Sequence, residues 1–204
     1  MKRVRFEGRE IIPSKIVCVG RNYVEHIEEL GNEVPESMVL FNKPNSAVGT
    51  TLYDFGEGYR YEGEICFLVE EGKLAGVGFG LDLTNATAQN YLKSKGLPWE
   101  RAKAFDDSAV FSLFVRMGSP LESIRMELYH NGTKVQEATF GLMIYKPGVI
   151  LGEIGRFMHL EDGDIIMSGT PKGVGRYYRG DILTGKIYSG DELLIEESWE
   201  AIKK

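Results

Sequence analysis

Apolar and polar residues alternate along residues 61–70, which is the pattern of a half-buried β-strand. The odd positions of its second half carry isoleucine, phenylalanine and valine, which pack well on a pleated surface. Because successive side chains of a strand point to opposite faces, Glu62 and Glu64 lie on one face, next to Cys66 and Leu68. Such a pair of carboxylates either faces water or shares a bound cation, and this stretch alone leaves both interpretations open.

Further strands are predicted wherever the same two-residue period returns between turn-forming residues. Asn131-Gly132 is typical of a tight hairpin turn, and residues 1–14 are expected to form a short strand or hairpin. The other predicted strands cover residues 15–19, 39–41, 74–83, 111–115, 125–131, 133–138, 164–168, 181–188 and 191–198.

Helical spacing is confined to short segments. Residues 23–30 are predicted to form a helix, with Asn22 as its N-cap and Glu25 completing a capping box. Many strands, few helices and no strand–helix–strand alternation together indicate an α+β fold. The other helical segments are expected at residues 86–95, 149–159 and, as a single turn, 99–103.

The composition is that of an ordinary globular protein, with 204 residues of which 43% are hydrophobic and 26% are charged. This length predicts a single domain over residues 1–204. A net charge of −6 argues against non-specific nucleic-acid binding, and no apolar run is long enough to span a membrane. Cys18 and Cys66 each lie in an apolar segment outside any paired-cysteine motif, so we expect buried free thiols and a reducing, cytoplasmic location.

Asp82 follows Glu62 and Glu64 by about one strand and lies within an apolar run. If the two strands pair, its carboxylate reaches the two glutamates and completes an oxygen-only site suited to Mg²⁺ or Mn²⁺, with Ca²⁺ as a substitute in vitro. The alternative is that Asp82 is an exposed strand residue or a helix cap near Thr84. The three carboxylates are therefore candidate metal ligands.

His26 and Glu29 are three residues apart on the first predicted helix and are therefore neighbours on one of its faces. Such a pair can act as an oriented base, although a surface ion pair has the same spacing. Lys103 lies among apolar and aromatic residues, where a partly buried ammonium group would stabilise an oxyanion. The glycine-rich loop 169–175 lacks the spacing of a nucleotide-binding loop, and it can either bind an anion or connect a hairpin.

The chain carries a series of short motifs in a fixed order, namely Val19-Gly20-Arg21-Asn22-Tyr23 with His26 and Glu29, Phe41-x-Lys43-Pro44, Glu62-x-Glu64, Leu81-Asp82-Leu83-Thr84, Lys95-Gly96-Leu97-Pro98-Trp99-x-x-Ala102-Lys103-x-Phe105, Asn131-Gly132, Gln136, Met143-Ile144-Tyr145 and Ser168-Gly169-Thr170-Pro171-Lys172-Gly173-Val174-Gly175. Together they resemble the fumarylacetoacetate hydrolase superfamily. Within it, they are similar to the short branch of acylpyruvate hydrolase-like and 2-hydroxyhepta-2,4-diene-1,7-dioate isomerase-like proteins.

The resemblance implies a mixed-sheet β-roll with a few short helices, assembled as a homodimer. It implies Mg²⁺ or Mn²⁺ bound by Glu62, Glu64 and Asp82. It implies catalytic roles for His26, Glu29 and Lys103. The His26–Glu29 pair would act on a water molecule. It also implies a small-molecule α-keto acid or dicarboxylate substrate, bound by residues from four of the motifs: Arg21, Lys43, Gln136, Gly169 and Thr170.

The resemblance leaves the reaction open. A metal-stabilised enolate serves the hydrolysis of an acylpyruvate, the decarboxylation of oxaloacetate and the isomerisation of an unsaturated 2-hydroxy diacid. We expect hydrolysis, because the His26–Glu29 pair that would activate water is intact. The chain departs from the family pattern where Ala86 and Thr87 replace an arginine and an aspartate. This departure puts the usual substrate in question and keeps a rival hypothesis open, a non-catalytic protein that binds metal and dicarboxylates.

Overall fold

The structure is a computed structural model that describes residues 1–29, 31, 35–118 and 120–204. Its strands, in chain order, are β1 (Val4–Phe6), β2 (Arg9–Ile11), β3 (Lys15–Gly20), β4 (Val39–Pro44), β5 (Val48–Gly49), β6 (Tyr53–Asp54), β7 (Tyr59–Arg60), β8 (Gly63–Glu70), β9 (Lys73–Asp82), β10 (Thr84–Asn85), β11 (Ala109–Phe111), β12 (Val115–Arg116), β13 (Ile124–His130), β14 (Thr133–Thr139), β15 (Ile165–Met167), β16 (Ile182–Ser189), β17 (Glu192–Glu200) and β18 (Ile202–Lys203). Its helices are α1 (Val24–Glu29), α2 (Ala86–Ser94), α3 (Glu100–Lys103) and α4 (Pro147–Ile154), with 3₁₀ turns at Asn45–Ala47, Leu121–Ser123 and Phe140–Leu142.

A mixed sheet forms the framework of the molecule. Its strands lie in the order β4-β3-β15-β8-β9-β11-β5, and β12 also pairs with β9. The pairs β15–β3 and β11–β5 are parallel, whereas β8 is antiparallel to both of its neighbours. A second sheet, β14-β13-β16-β17, is antiparallel throughout. These elements confirm the predicted α+β fold with a mixed sheet and a few short helices.

Strand β8 is buried on both faces. Ile65 and Phe67 belong to the large apolar cluster that the second sheet also lines. Cys66 and Leu68 belong to a smaller cluster that includes Phe6 from the hairpin β1–β2. The face that carries the two glutamates therefore points into the protein, and the interpretation of a solvated pair is wrong.

The two cysteines are buried free thiols, as their apolar surroundings predict. Cys18 on β3 and Cys66 on β8 lie on opposite sides of Met167, the β15 residue that pairs with both. A whole strand thus separates the two thiols. Among the described residues, no helix combines the length and the apolar character needed to cross a membrane.

One predicted helix ends early, and one predicted strand is interrupted. The helix predicted at 149–159 is α4, which ends at Ile154. The strand predicted at 111–115 is divided between β11 and β12, because Ser112 between them bonds to Phe79 in two ways. Its N–H donates to the Phe79 carbonyl oxygen at 3.0 Å, and its hydroxyl oxygen accepts from the Phe79 N–H at 2.9 Å. The serine side chain thus takes a donor that a continuous ladder would use.

Asn22 does not have the capping role that its position predicts. In the described part of the chain its side-chain amide donates to the carbonyl oxygens of Tyr145, at 3.1 Å, and Ser168, at 2.8 Å. Its side-chain oxygen accepts from the Tyr145 N–H at 2.7 Å. The buried asparagine therefore fixes the start of α1 to two distant loops. The helix predicted at 23–30 is found as α1, and Leu30 lies outside the described residues.

The two sheets approach each other closely at Gly185 of β16. A Cβ atom at this position would lie 2.4 Å from Cδ1 of Phe79 on β9, far inside van der Waals contact. The Phe79 ring is fully buried, and its centroid lies 6.0 Å from that of Trp199 on β17. Glycine is required here because a larger residue has no room.

Replacing Gly185 by alanine is expected to destabilise the protein by about 1–3 kcal/mol, because the added methyl group must displace Phe79. Gly152→Ala is the matched control, since a Cβ atom there meets nothing within 4 Å and the residue lies in α4. That change is expected to be neutral or to stabilise by up to about 1 kcal/mol. Urea unfolding followed by circular dichroism measures both, and equal midpoints for the two variants would contradict the close packing of the sheets.

Candidate active site

Three carboxylates from two paired strands meet at one end of the mixed sheet. Glu62 directly precedes β8, Glu64 lies in it, and Asp82 ends β9. The pairing of Gly63 with Leu81, and the bond from the Asp82 N–H to the Glu62 carbonyl oxygen at 2.8 Å, place the three side by side. One oxygen of each carboxylate lies within 4.8 Å of the others, and the residues are 5%, 2% and 1% exposed. The sequence prediction that these residues converge is therefore met by the geometry.

Three cations surround this acidic cluster. Lys103 Nζ lies 2.7 Å from Glu62 Oε2 and 2.6 Å from Asp82 Oδ2. Arg60 Nε donates to Glu62 Oε1 at 2.9 Å, and Lys43 Nζ lies 2.8 Å from Asp82 Oδ1. Burial makes each isolated charge costly, so a cluster of this depth requires close counter-charges.

The protonation of the cluster is uneven. Burial raises the pKa of Glu64 well above its ordinary value, and the Asp82 charge raises it further. Burial has the same tendency at Glu62, but Lys103 and Arg60 outweigh it and hold that pKa low. For Lys103, burial opposes the charged form, while Asp82 and Glu62 raise its pKa above the ordinary lysine value. At Glu64, Lys103 and the Gly169 N–H act in the opposite direction but do not outweigh burial and the Asp82 charge, so its pKa stays raised.

The cluster suits a divalent cation by the chemistry of its donors. All three side chains offer oxygen ligands, which are those that Mg²⁺ and Mn²⁺ prefer. Among the described residues, no hydrogen bond of normal geometry reaches Asp82 Oδ1, although Lys43 Nζ lies 2.8 Å away. A buried carboxylate oxygen without a hydrogen bond, beside a glutamate with a raised pKa, is what a site for a cation would leave in the protein alone.

His26 and Glu29 form a hydrogen-bonded pair beside the cluster. His26 Nδ1 lies 3.2 Å from Glu29 Oε2, so that the Nδ1–H tautomer donates to the carboxylate and leaves Nε2 as the basic nitrogen. Burial lowers the pKa of His26 below its ordinary value of 6.5, against the opposing charges of Glu62 and Glu29. The imidazole is therefore neutral at pH 7, as a general base must be.

The glycine-rich loop 169–175 bonds to both groups. The Gly169 N–H donates to Glu64 Oε2 at 2.7 Å. The Gly173 N–H donates to Glu29, at 3.0 Å to Oε1 and 3.2 Å to Oε2. Thr170 lines the pocket, and its hydroxyl donates to the Gly63 carbonyl oxygen at 2.9 Å. The backbone of the loop thus holds the candidate metal ligand Glu64 and Glu29, the partner of the candidate base.

Two residues with predicted substrate contacts lie behind the site. Lys43 is completely buried, and its ammonium group donates to the carbonyl oxygens of Lys103 and Ser108. Gln136 accepts from the Gly63 N–H at 2.9 Å and donates to Thr170 Oγ1 at 2.9 Å. Both positions favour a supporting role, while Arg21, Gly169 and Thr170 stay candidates for contact with a ligand.

Other pocket residues were not predicted from the sequence. Arg60 precedes Glu62 by two residues, so the strand period that placed the glutamates on one face also placed Arg60 there. No comparable signal marks the helix residues, because the face that α2 turns towards the pocket depends on the tertiary fold. The described residues that line the pocket are Val19, Gly20, Arg21, His26, Phe41, Arg60, Glu62, Glu64, Asp82, Gln89, Lys93, Trp99, Lys103 and Thr170.

Similar proteins share both the fold and most of the chain. Oxaloacetate tautomerase YcgM of Escherichia coli (strain K12) is 38% identical over 192 residues, which cover 84% of this chain and 87% of that protein. The mitochondrial oxaloacetate tautomerase oaa1 of Schizosaccharomyces pombe is 33% identical over 216 residues, covering 93% of this chain and 95% of that protein.

A solved structure extends this similarity to the whole fold. Fumarylpyruvate hydrolase from Pseudomonas aeruginosa, crystallised with Mn²⁺ and pyruvate, has a TM-score of 0.88 and 28% identity over 100% of this chain and 96% of that one. Residues 15–197 also match the family model described as fumarylacetoacetate (FAA) hydrolase C-terminal. The chain therefore belongs to the fumarylacetoacetate hydrolase family.

Proposed function

We propose that residues 1–204 act as one catalytic domain that interconverts the keto and enol forms of a 2-oxo dicarboxylic acid such as oxaloacetate. The observation that supports this best is the position of a neutral, oriented base, His26, in the same pocket as a buried carboxylate cluster. Keto–enol exchange needs a base that moves a proton between carbon and oxygen, and a positive charge that stabilises the enolate.

Each residue has a role in this reaction that follows from its position. Nε2 of His26 takes the proton from the carbon next to the keto group and delivers it to the oxygen of the resulting enolate, which gives the enol; the reverse steps give the keto form. Glu29 holds the imidazole by its Nδ1–H and is itself held by the Gly173 N–H. Lys103 fixes the carboxylates of Glu62 and Asp82. A divalent cation bound by Glu62, Glu64 and Asp82 would act as a Lewis acid towards the keto oxygen.

Two relatives support tautomerisation over the acylpyruvate hydrolysis that the sequence led us to expect. Both are described as oxaloacetate tautomerases, at 38% and 33% identity. An intact base pair was the reason for expecting hydrolysis, but tautomerisation uses the same pair and needs no attacking water. Hydrolysis remains the second candidate, because fumarylpyruvate hydrolase is 28% identical and matches the entire chain.

A substrate panel with Mg²⁺ present separates these reactions. The purified protein is expected to accelerate loss of the enol absorbance of oxaloacetate, with little pyruvate or carbon dioxide released. Faster release of pyruvate from an acylpyruvate than tautomerisation of oxaloacetate would favour the hydrolase. Absence of turnover in the panel, with Mg²⁺ binding intact, would favour the non-catalytic rival.

Replacing both Glu62 and Glu64 by glutamine is expected to weaken the binding of Mg²⁺ or Mn²⁺, because two of the three candidate ligands lose their charge. The loss of affinity should exceed the roughly 10- to 100-fold effect of removing a residue that only supports a metal ligand. Isothermal titration of the metal into each protein measures this. Glu71→Gln, at the exposed turn after β8, is the control and should bind as the parent does. Unchanged affinity in the double variant would refute the assignment of the ligands.

The rate should fall on the acid side as His26 takes up a proton, with a pKa below 6.5. Glu29 raises the pKa of His26, so Glu29→Gln should move this acid limb to lower pH. The same change should reduce kcat by about 10- to 100-fold, because the ring loses its orientation. Glu28→Gln, exposed on the same helix, is the control. An acid limb that moves to higher pH in Glu29→Gln would contradict the assigned base.

A further inference from the structure

Lys93 is a pocket residue to which the proposed reaction assigns no role. It lies in the last turn of α2, and its side chain lines the same pocket as His26 and the acidic cluster. Its Nζ atom lies 5.1 Å from the centroid of the Trp99 ring, which also lines the pocket. The aromatic face and the half-buried position hold the ammonium group at the pocket wall instead of in open solvent.

Among the described residues, no carboxylate lies within ion-pair distance of this ammonium group. Glu62 is paired with Lys103 and Arg60, and Asp82 with Lys103 and Lys43, while Glu64 accepts from the Gly169 N–H. Within the described ranges, Lys93 forms no ion pair. Burial, together with the neighbouring charges of Arg21 and Arg60, lowers its pKa to about 8, against the opposing charge of Glu62. A half-buried cation without a counter-charge is stabilised by an anion that enters from outside the chain.

Arg60 lies on the same wall of the pocket. Its Nη2 donates to Gln89 Oε1 at 3.2 Å, and Gln89 is one helical turn before Lys93 on the same face of α2. Strand β7 pairs with β10, so that Arg60 lies opposite Thr84, and α2 begins directly after β10. This pairing brings Arg60 within hydrogen-bond distance of Gln89. Two cations from separate elements thus line one pocket, beside the acidic cluster.

We propose that Lys93 and Arg60 bind the second carboxylate of the substrate, so that the enzyme selects 2-oxo dicarboxylates over 2-oxo monocarboxylates. This assignment rests on the proposed function, in which the 2-oxo acid end of the substrate lies at the acidic cluster. The distal carboxylate then lies against the ammonium group of Lys93 and the guanidinium group of Arg60. Arg60 bridges the two ends, because its Nε bonds to Glu62 while its Nη2 faces α2.

The test compares two unreactive ligands that share a 2-hydroxy acid group, malate with a second carboxylate and lactate without one. Titration into the Mg²⁺-loaded protein should show tighter binding of malate. Lys93→Met should lower the affinity for malate by about 10- to 100-fold, which is the loss expected of one charge-assisted hydrogen bond. The affinity for lactate should change by less than about twofold. Lys95→Met, an equal change at the exposed end of the same helix, should leave both affinities unaltered.

Lys93→Gln repeats the loss of charge with a good helix former, in case the methionine variant does not fold, and Lys93→Arg should keep the preference for malate. The proposal is overturned if the parent protein does not bind malate more tightly than lactate. It is also overturned if Lys93→Gln keeps that preference, or if Lys95→Met loses it equally. Failure of the proposed reaction would be a separate result, because it is measured as the absence of oxaloacetate turnover. The comparison of malate with lactate would still show whether Lys93 binds a second carboxylate.

Discussion

The burial of three carboxylates at one end of the sheet is the constraint on which the arrangement of the pocket depends. Each of these side chains would prefer water, and together they repel one another. The protein offsets this with Lys103, Lys43 and Arg60, and with the Gly169 N–H. Each partner comes from a different segment, so the electrostatics of the cluster fix how those segments meet. The same crowding makes the cluster a candidate site for a divalent cation.

The supporting groups are as deeply buried as the charged residues of the acidic cluster. Lys43 is entirely enclosed, and its ammonium group is held by main-chain carbonyl oxygens next to Lys103. Gln136 connects the backbone of β8 to the hydroxyl of Thr170. Preorganised polar groups of this kind keep the reacting groups in place at no cost during the reaction. They also explain why a polar network of this size is tolerated between two apolar clusters.

The sequence predicted those parts of the site that follow from local geometry. Glu62 and Glu64 share a face by the strand period, and Asp82 returns to them through one tight turn. The order of the motifs identified the family. The support roles of Lys43 and Gln136 could not be predicted, because a lysine in sequence does not reveal whether it meets a ligand or a carbonyl oxygen. Lys93 was missed because the orientation of α2 is set by tertiary packing.

The loop 169–175 touches the acidic cluster at its first residue and the His26–Glu29 pair near its last. Gly169 bonds to Glu64, and Gly173 bonds to Glu29, over five residues of backbone. Such a short segment cannot shift at one end without disturbing the other. The loop therefore couples the position of the candidate metal ligand Glu64 to that of the candidate base His26, whereas Lys93 on α2 lies outside this coupling.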